Sequence, residues 1–157
     1  MKILIGLFSF FLFSVVLSPS ASAAQGTGLG LTLGSPNGVT GRTWFTDENS
    51  LAYGAGWGLL EGNKFQVYAD YLWNRPHTFE INGEPFALFF GGGLGIRGKS
   101  GKNDGEVVFG PRLPVGISYL FADPSLELYA LGAVNVGIIP SSDVYIDAHV
   151  GARFYLF

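Results

Sequence analysis

The chain lacks cysteine altogether, so neither a disulfide framework nor a lipid anchor attached to a cysteine is possible. Charge is scarce, because Asp, Glu, Lys and Arg make up 13% of the 157 residues against a usual share of about 25%. The formal net charge is −3 and no basic face emerges, which argues against a nucleic-acid partner. Helical periodicity is also missing beyond Ala24. The chain is instead rich in glycine, with 24 residues, and in aromatic side chains, which form 15% of it.

The first residues have the pattern of a secretory signal peptide. Met1 and Lys2 form a basic start, residues 3–17 are almost entirely apolar, and Ala21-Ser22-Ala23 is a small-x-small cleavage pattern. The apolar run is shorter than the roughly 20 residues that a membrane-spanning helix needs. We expect residues 1–23 to be removed, so that residues 24–157 form one domain of 134 residues.

Apolar residues alternate with polar residues or glycine along the mature chain, and this period of two predicts an all-β fold. The alternating segments cover residues 28–34, 39–45, 51–59, 65–73, 86–97, 106–121, 126–138 and a last segment after the turn at 140–143. Pro111 and Pro114 cannot donate to a ladder, so a bulge or kink is expected there. The long connection at 74–85 either extends its two strands as a tall hairpin around Asn82-Gly83 or means that the strand count is wrong.

The two faces of the predicted strands differ in composition. In segment 51–59, Tyr53 and Trp57 share one face, and the other face carries Gly54, Gly56 and Gly58. Alternation alone fits a soluble barrel with its apolar face inside or a membrane barrel with its apolar face in lipid. Rows of glycine exposed to water would weaken the strands, whereas a narrow barrel interior needs glycines to make room for large neighbours. We therefore predict that the glycine face points inward.

The charged residues of the strands fall on the glycine face. A charge inside a barrel needs a partner, so we predict a network of paired side chains that plugs the lumen. A register slip of one residue would move an arginine into lipid at a cost of about 2 to 4 kcal/mol, which specifies the register. The opposite face carries aromatic residues of the kind that form interfacial girdles. The predicted network consists of Arg42, Asp70, Arg97, Arg112, Glu127, Asp147, His149 and Arg153.

The C-terminal residues carry a resemblance to bacterial outer-membrane β-barrel proteins. In that family the last strand reads polar-x-Gly-x-x-apolar-x-apolar, a pattern filled here by His149, Gly151, Phe154 and Leu156, with Phe157 as an aromatic end. Stretches 28–31, 69–73, 114–121 and 151–154 add to the likeness, which is strongest to small envelope barrels. The resemblance implies an eight-stranded antiparallel up-and-down transmembrane β-barrel, located in the outer membrane, surrounded by its lipid and recognised by the barrel-assembly machinery. It implies no activity.

The residues point to no cofactor and no metal site, because two histidines and scattered carboxylates give no ligand spacing. We expect a non-enzymatic structural or surface-interaction role, with loop 98–105 available to an external ligand, and no pore. One alternative is a lipid deacylase that uses Ser118, Asp147 and His149. Another is a carrier of a small ligand with a glycine-lined pocket. The residues beside that pocket are Ala52, Gly54, Gly56 and Gly58.

Overall fold

The computed structural model describes residues 26–58, 64–98, 106–121, 125–139 and 142–156. The predicted signal peptide, residues 99–105 of the predicted loop and Phe157 lie outside these ranges. No helix among the described residues is long and apolar enough to cross a membrane.

Eight antiparallel strands, each hydrogen-bonded to its neighbour in the chain, form a single sheet that closes when β8 pairs with β1. This confirms the predicted all-β, eight-stranded up-and-down barrel. The strands are β1 (Thr27–Gly34), β2 (Asn37–Trp44), β3 (Asn49–Gly58), β4 (Lys64–Ile81), β5 (Glu84–Gly98), β6 (Val107–Leu120), β7 (Leu126–Gly137) and β8 (Asp143–Leu156). All eight predicted segments are strands, and the largest difference is in β4, which continues to Ile81.

The stagger between neighbouring strands sets the shape of the ring. Gly28 of β1 pairs directly with Tyr155 of β8. The row of paired residues that starts at Gly28 and passes through β2 to β7 reaches β8 at Tyr145 instead. Tyr145 and Tyr155 are 10 residues apart on β8, and this offset is the shear of the barrel. With the usual strand rise and spacing, this shear tilts the strands by about 40° and gives a barrel roughly 16 to 17 Å across. That row consists of Gly28, Arg42, Ala52, Asp70, Gly93, Arg112, Asn135 and Tyr145.

Burial alternates along the strands with the polar face inside. The side chains of Arg42 and Arg112 have no exposed surface, whereas Leu31 and Ile146 on the outer face are 67% and 73% exposed. Small inward residues give the large ones space: a Cβ on Gly54 would collide with the ring of Tyr68. The arrangement with an apolar interior is therefore excluded, and the glycine face points inward as the residue sizes predict.

The connection at 74–85 is the tip of a tall hairpin, which settles the two possibilities left by the sequence. Strands β4 and β5 remain paired up to Ile81 and Glu84, with a register shift between Arg75 and Phe79. Asn82 and Gly83 form the tip with positive φ values of 54° and 85°, which a tight hairpin turn requires. Because neighbouring strands alternate in direction, this hairpin projects from the same end of the barrel as the two ends of the described chain.

The two prolines of β6 disturb the ladder differently. The pairing of β6 with β5 has a gap at Pro114 but keeps one register on both sides, so no bulge is present there. The regular pairing with β7 ends at Arg112 and resumes at Phe109 shifted by one residue, on either side of Pro111. Each proline lacks the N–H that the ladder needs, and the predicted irregularity takes two forms: a gap in the pairing with β5 at Pro114 and a one-residue shift against β7 next to Pro111.

Candidate functional site

The inside of the barrel is the candidate site, and its first part is an ion cluster at the end where the hairpin projects. Glu127 of β7 is 1% exposed and accepts from Arg42 of β2 and from Arg153 of β8. The contact to Arg153 Nη1 measures 3.2 Å, and the hydroxyl of Tyr155 donates to the same carboxylate at 2.7 Å. Two guanidiniums share one carboxylate, so this cluster carries an excess positive charge. We call it the Glu127 cluster.

Neutral polar side chains complete the bonding of the two arginines. Arg42 donates to Ser50 Oγ at 3.0 Å and also to Asn74 Oδ1, while Arg153 donates to Thr40 Oγ1 at 3.0 and 3.1 Å. The guanidinium of Arg42 also lies 4.2 Å from the centre of the Trp44 ring, in cation–π geometry. Acceptors on three strands, β2, β3 and β4, therefore hold the arginines that meet at β7.

A second ion cluster lies around Arg112 of β6. Its Nε donates to Asp70 Oδ2 at 2.9 Å and its Nη1 donates to Asp147 Oδ2 at 2.5 Å. Asp147 Oδ2 also accepts from Asn135 at 2.8 Å and from Gln66 at 2.5 Å. Here two carboxylates share one arginine, so the charge excess is opposite to that of the Glu127 cluster. We call this group the Arg112 cluster.

Two of the predicted lumen residues lie outside these clusters. Arg97 is 5% exposed, with its guanidinium 4.3 Å from the centre of the Tyr145 ring. The Nδ1 atom of His149 is 3.2 Å from the Ser35 carbonyl oxygen, and its ring lies between those of Tyr68 and Tyr129 at 5.7 and 5.9 Å. All eight predicted residues thus point inward, and six of them belong to the two clusters.

Several network residues were not singled out from the sequence. Each is a neutral polar side chain at an inward position. They are Thr40, Ser50, Gln66, Asn74 and Asn135. The period of two places Thr40, Gln66 and Asn135 on the same face as the charged residues, whereas Ser50 and Asn74 lie just outside the predicted segments 51–59 and 65–73.

The side chains of the hypothetical deacylase do not assemble among the described residues. Asp147 directs Oδ2 to Arg112, Asn135 and Gln66, whereas His149 directs Nδ1 to a backbone carbonyl. In a Ser-His-Asp triad the carboxylate forms a hydrogen bond with the histidine ring and orients it. Asp147 and His149 form no such hydrogen bond, because each is bonded to other groups. No group of three or more metal-ligating side chains occurs among the described residues either.

At two of its four lining residues, Ala52 and Gly54, the predicted glycine-lined pocket is filled by the chain itself. Ala52 is fully buried, and the inward side of Gly54 is covered by the ring of Tyr68. The described residues do form a groove of about 480 Å³, but on the outer wall. Its floor consists of Ala130, Gly132 and Ala148, between the larger side chains of β1, β5 and β6.

The C-terminal pattern residues lie on the strand that closes the ring. Gly151 faces the interior, where a Cβ would meet the Tyr129 side chain, while Phe154 and Leu156 are 50% and 62% exposed on the outer face. His149 belongs to the inward face, and Phe157 lies outside the described residues.

Comparisons with family models, with curated protein sequences and with solved structures gave no match. The class of the protein is therefore defined by its structure alone. It is a closed eight-stranded β-barrel with a charged interior and an apolar exterior.

Proposed function

We propose that this protein is an integral β-barrel of the bacterial outer membrane, with its outer face in lipid and a plugged lumen. The observation that carries the proposal is the inverted distribution of polarity. Arginines and carboxylates are buried inside, and the outer face of the described strands bears large apolar side chains that are 38% to 73% exposed. The exposed charged residues of these strands lie at their ends: Arg75, Glu80 and Glu84 belong to the projecting hairpin, and Asp143 is the first residue of β8. Exposed apolar surface of this extent would be a severe liability in water.

Aromatic side chains form two belts on the outer face, as expected for the edges of a bilayer. One belt contains Trp57 and Phe65, with ring centres 6.0 Å apart. The other contains Phe45, Tyr71, Trp73 and Phe90, with successive ring centres 5.2 to 6.3 Å apart. Phe65 and Trp73 are eight residues apart on one strand, a height of about 20 Å at the estimated tilt. The usual apolar band of such barrels is about 25 Å tall.

The filled interior supports a structural or surface-interaction role over transport. Two ion clusters and the rings of Tyr68, Phe89 and Tyr129 occupy a lumen that is only wide enough for side chains. In this proposal the partners are outer-membrane lipid and, during biogenesis, the barrel-assembly machinery that reads the C-terminal pattern.

The test is to express the full chain with its own leader in a Gram-negative bacterium and to separate the two membranes by density. We expect the mature chain in the outer-membrane fraction. We also expect it to migrate on a denaturing gel at a different position before and after heating, because a closed barrel resists detergent at low temperature. A sample unfolded in urea before loading is the control for the unfolded position. Recovery of the mature chain as a monodisperse protein in buffer without detergent would overturn the proposal.

A further inference from the structure

The middle of the barrel contains a set of buried polar atoms that no protein group satisfies among the described residues. Folded proteins rarely leave such atoms unbonded, and ordered water is the usual partner when the protein offers none. The set divides into two groups at different places in the lumen. It comprises Asp70 Oδ1, Asp147 Oδ1, Arg112 Nη2, Tyr129 Oη and His149 Nε2.

The first group belongs to the Arg112 cluster. Arg112 uses Nε for Asp70 Oδ2 and Nη1 for Asp147 Oδ2, so each of the three side chains keeps one atom in the cluster without a partner. The free atoms are one guanidinium nitrogen, which carries two N–H groups, and two carboxylate oxygens. A single water accepts one hydrogen bond from the guanidinium and donates one to each carboxylate, which matches the usual count of about three bonds for a buried water.

The second group is formed by Tyr129 and His149. Their rings meet edge to face with centres 5.9 Å apart, and both side chains are at least 95% buried. The Nδ1 atom of His149 is committed to the Ser35 carbonyl, which leaves Nε2 as the atom without a partner. The Tyr129 hydroxyl faces Gly151, where any side chain would take its place. A hydroxyl that both donates and accepts and a ring nitrogen are suited to share one water.

We propose that the lumen binds two internal water molecules, one within the Arg112 cluster and one between Tyr129 and His149. These waters give a hydrogen-bond partner to the five unbonded atoms of the two groups, so the plug consists of protein and water together. Both sites are built from inward side chains alone, so they are expected whether the outer face lies in lipid or detergent. A bound metal ion is a poorer match, because the guanidinium already lies between the two carboxylates.

The test is a crystal structure of the mature chain in detergent at a resolution that shows ordered water. We expect density within hydrogen-bonding distance of Arg112 Nη2 and both carboxylates, and a second feature between the Tyr129 hydroxyl and His149 Nε2. Rotated side chains that bond directly to one another at these places would overturn the inference. Coordination distances of about 2.0 to 2.4 Å to the carboxylates would also overturn it, because they would identify a cation.

A variant separates the two sites in solution. In the uniformly ¹³C,¹⁵N-labelled protein in deuterated detergent, long-lived water gives magnetisation transfer to the Arg112 guanidinium N–H groups and to the carbon-bound protons of the His149 ring beside Nε2, because Nε2 is the acceptor nitrogen when Nδ1 donates to the Ser35 carbonyl. Tyr129→Phe is expected to abolish the transfer at His149 and to leave the transfer at Arg112. Tyr53→Phe is the matched control, because the Tyr53 hydroxyl is 3.4 Å from Thr43 Oγ1 on the outer face, and both signals are expected to remain. An unchanged His149 signal in Tyr129→Phe would refute the second site.

Discussion

Glu127 offers a sharp test of how the barrel interior is stabilised. Its carboxylate is the acceptor for Arg42, Arg153 and Tyr155, and it is the one carboxylate in its cluster. Glu127→Gln keeps the size and one acceptor oxygen but removes the charge. Both guanidiniums then stay buried without a counter-charge, at 0% and 1% exposure.

The expected loss of stability follows from that burial. Removing one partner of a buried ion pair costs about 3 to 5 kcal/mol, because the remaining charge is uncompensated. The neutral partners Ser50, Asn74 and Thr40 keep their hydrogen bonds to the arginines, which places the expected loss toward the lower part of that range. A typical domain has about 5 to 15 kcal/mol in total, so the loss is a large fraction.

The assay is urea unfolding of the refolded barrel in lipid vesicles, followed by tryptophan fluorescence and by gel migration. Glu84→Gln is the matched control, since Glu84 also accepts from a tyrosine hydroxyl, Tyr119, but on the exposed hairpin. We expect no measurable change for this control. A loss below about 1 kcal/mol for Glu127→Gln would refute the view that the pairing compensates buried charge.

A triple replacement distinguishes charge compensation from general damage. Arg42→Met, Glu127→Leu and Arg153→Met together remove all the charges of the cluster while filling similar volume. The triple variant is expected to unfold at higher urea than Glu127→Gln, because apolar replacement of a whole buried ion cluster is often neutral or stabilising. A triple variant less stable than the single one would show that the individual hydrogen bonds matter more than the charge balance.

Further predictions concern the outer face of the barrel, the contact between β1 and β8, and the C-terminal residue. Leu31→Arg on the outer face is expected to lower stability in vesicles by about 2 to 4 kcal/mol, whereas Ile81→Arg on the projecting hairpin has little effect; equal losses would contradict the proposed lipid band. Gly30→Ala would overlap a backbone carbonyl oxygen of β8 and is expected to cost about 1 to 3 kcal/mol, whereas Gly92→Ala meets open space; chemical unfolding compares the two. Deletion of Phe157 is expected to lower the amount of folded protein in the outer-membrane fraction without changing its stability after refolding; unchanged amounts would reject the residue as part of the assembly pattern.

The inward positions of the charged residues follow from sequence periodicity. A strand places residues two apart on one face, so the glycines, arginines and carboxylates could be assigned together before any pairing was known. Even β7, where both faces are apolar in places, has Glu127, Tyr129 and Asn135 inside, as that period predicts. The same rule placed Asp147 and His149 on one face, but it could not show that their side chains turn to different partners.

Local irregularities were harder to predict than the strands. Two prolines in β6 predict a disturbed ladder, but they do not predict that the pairing with β5 is interrupted at Pro114 and that the pairing with β7 shifts by one residue next to Pro111. The connection at 74–85 left two possibilities open, and stacking of Phe79 on Phe86, with ring centres 5.7 Å apart, accompanies its pairing as a hairpin.

Sequence alone determined which residues share a face and that the small, charged face fits a narrow interior, because both follow from the geometry of one strand and the size of its side chains. Partner choice was decided only by the closed ring. Arg42 and Glu127 are 85 residues apart, and they meet because a stagger of 10 residues around the ring brings β2 and β7 together across the lumen at that height. A stagger is a property of all eight strand pairs at once, so no single segment contains it.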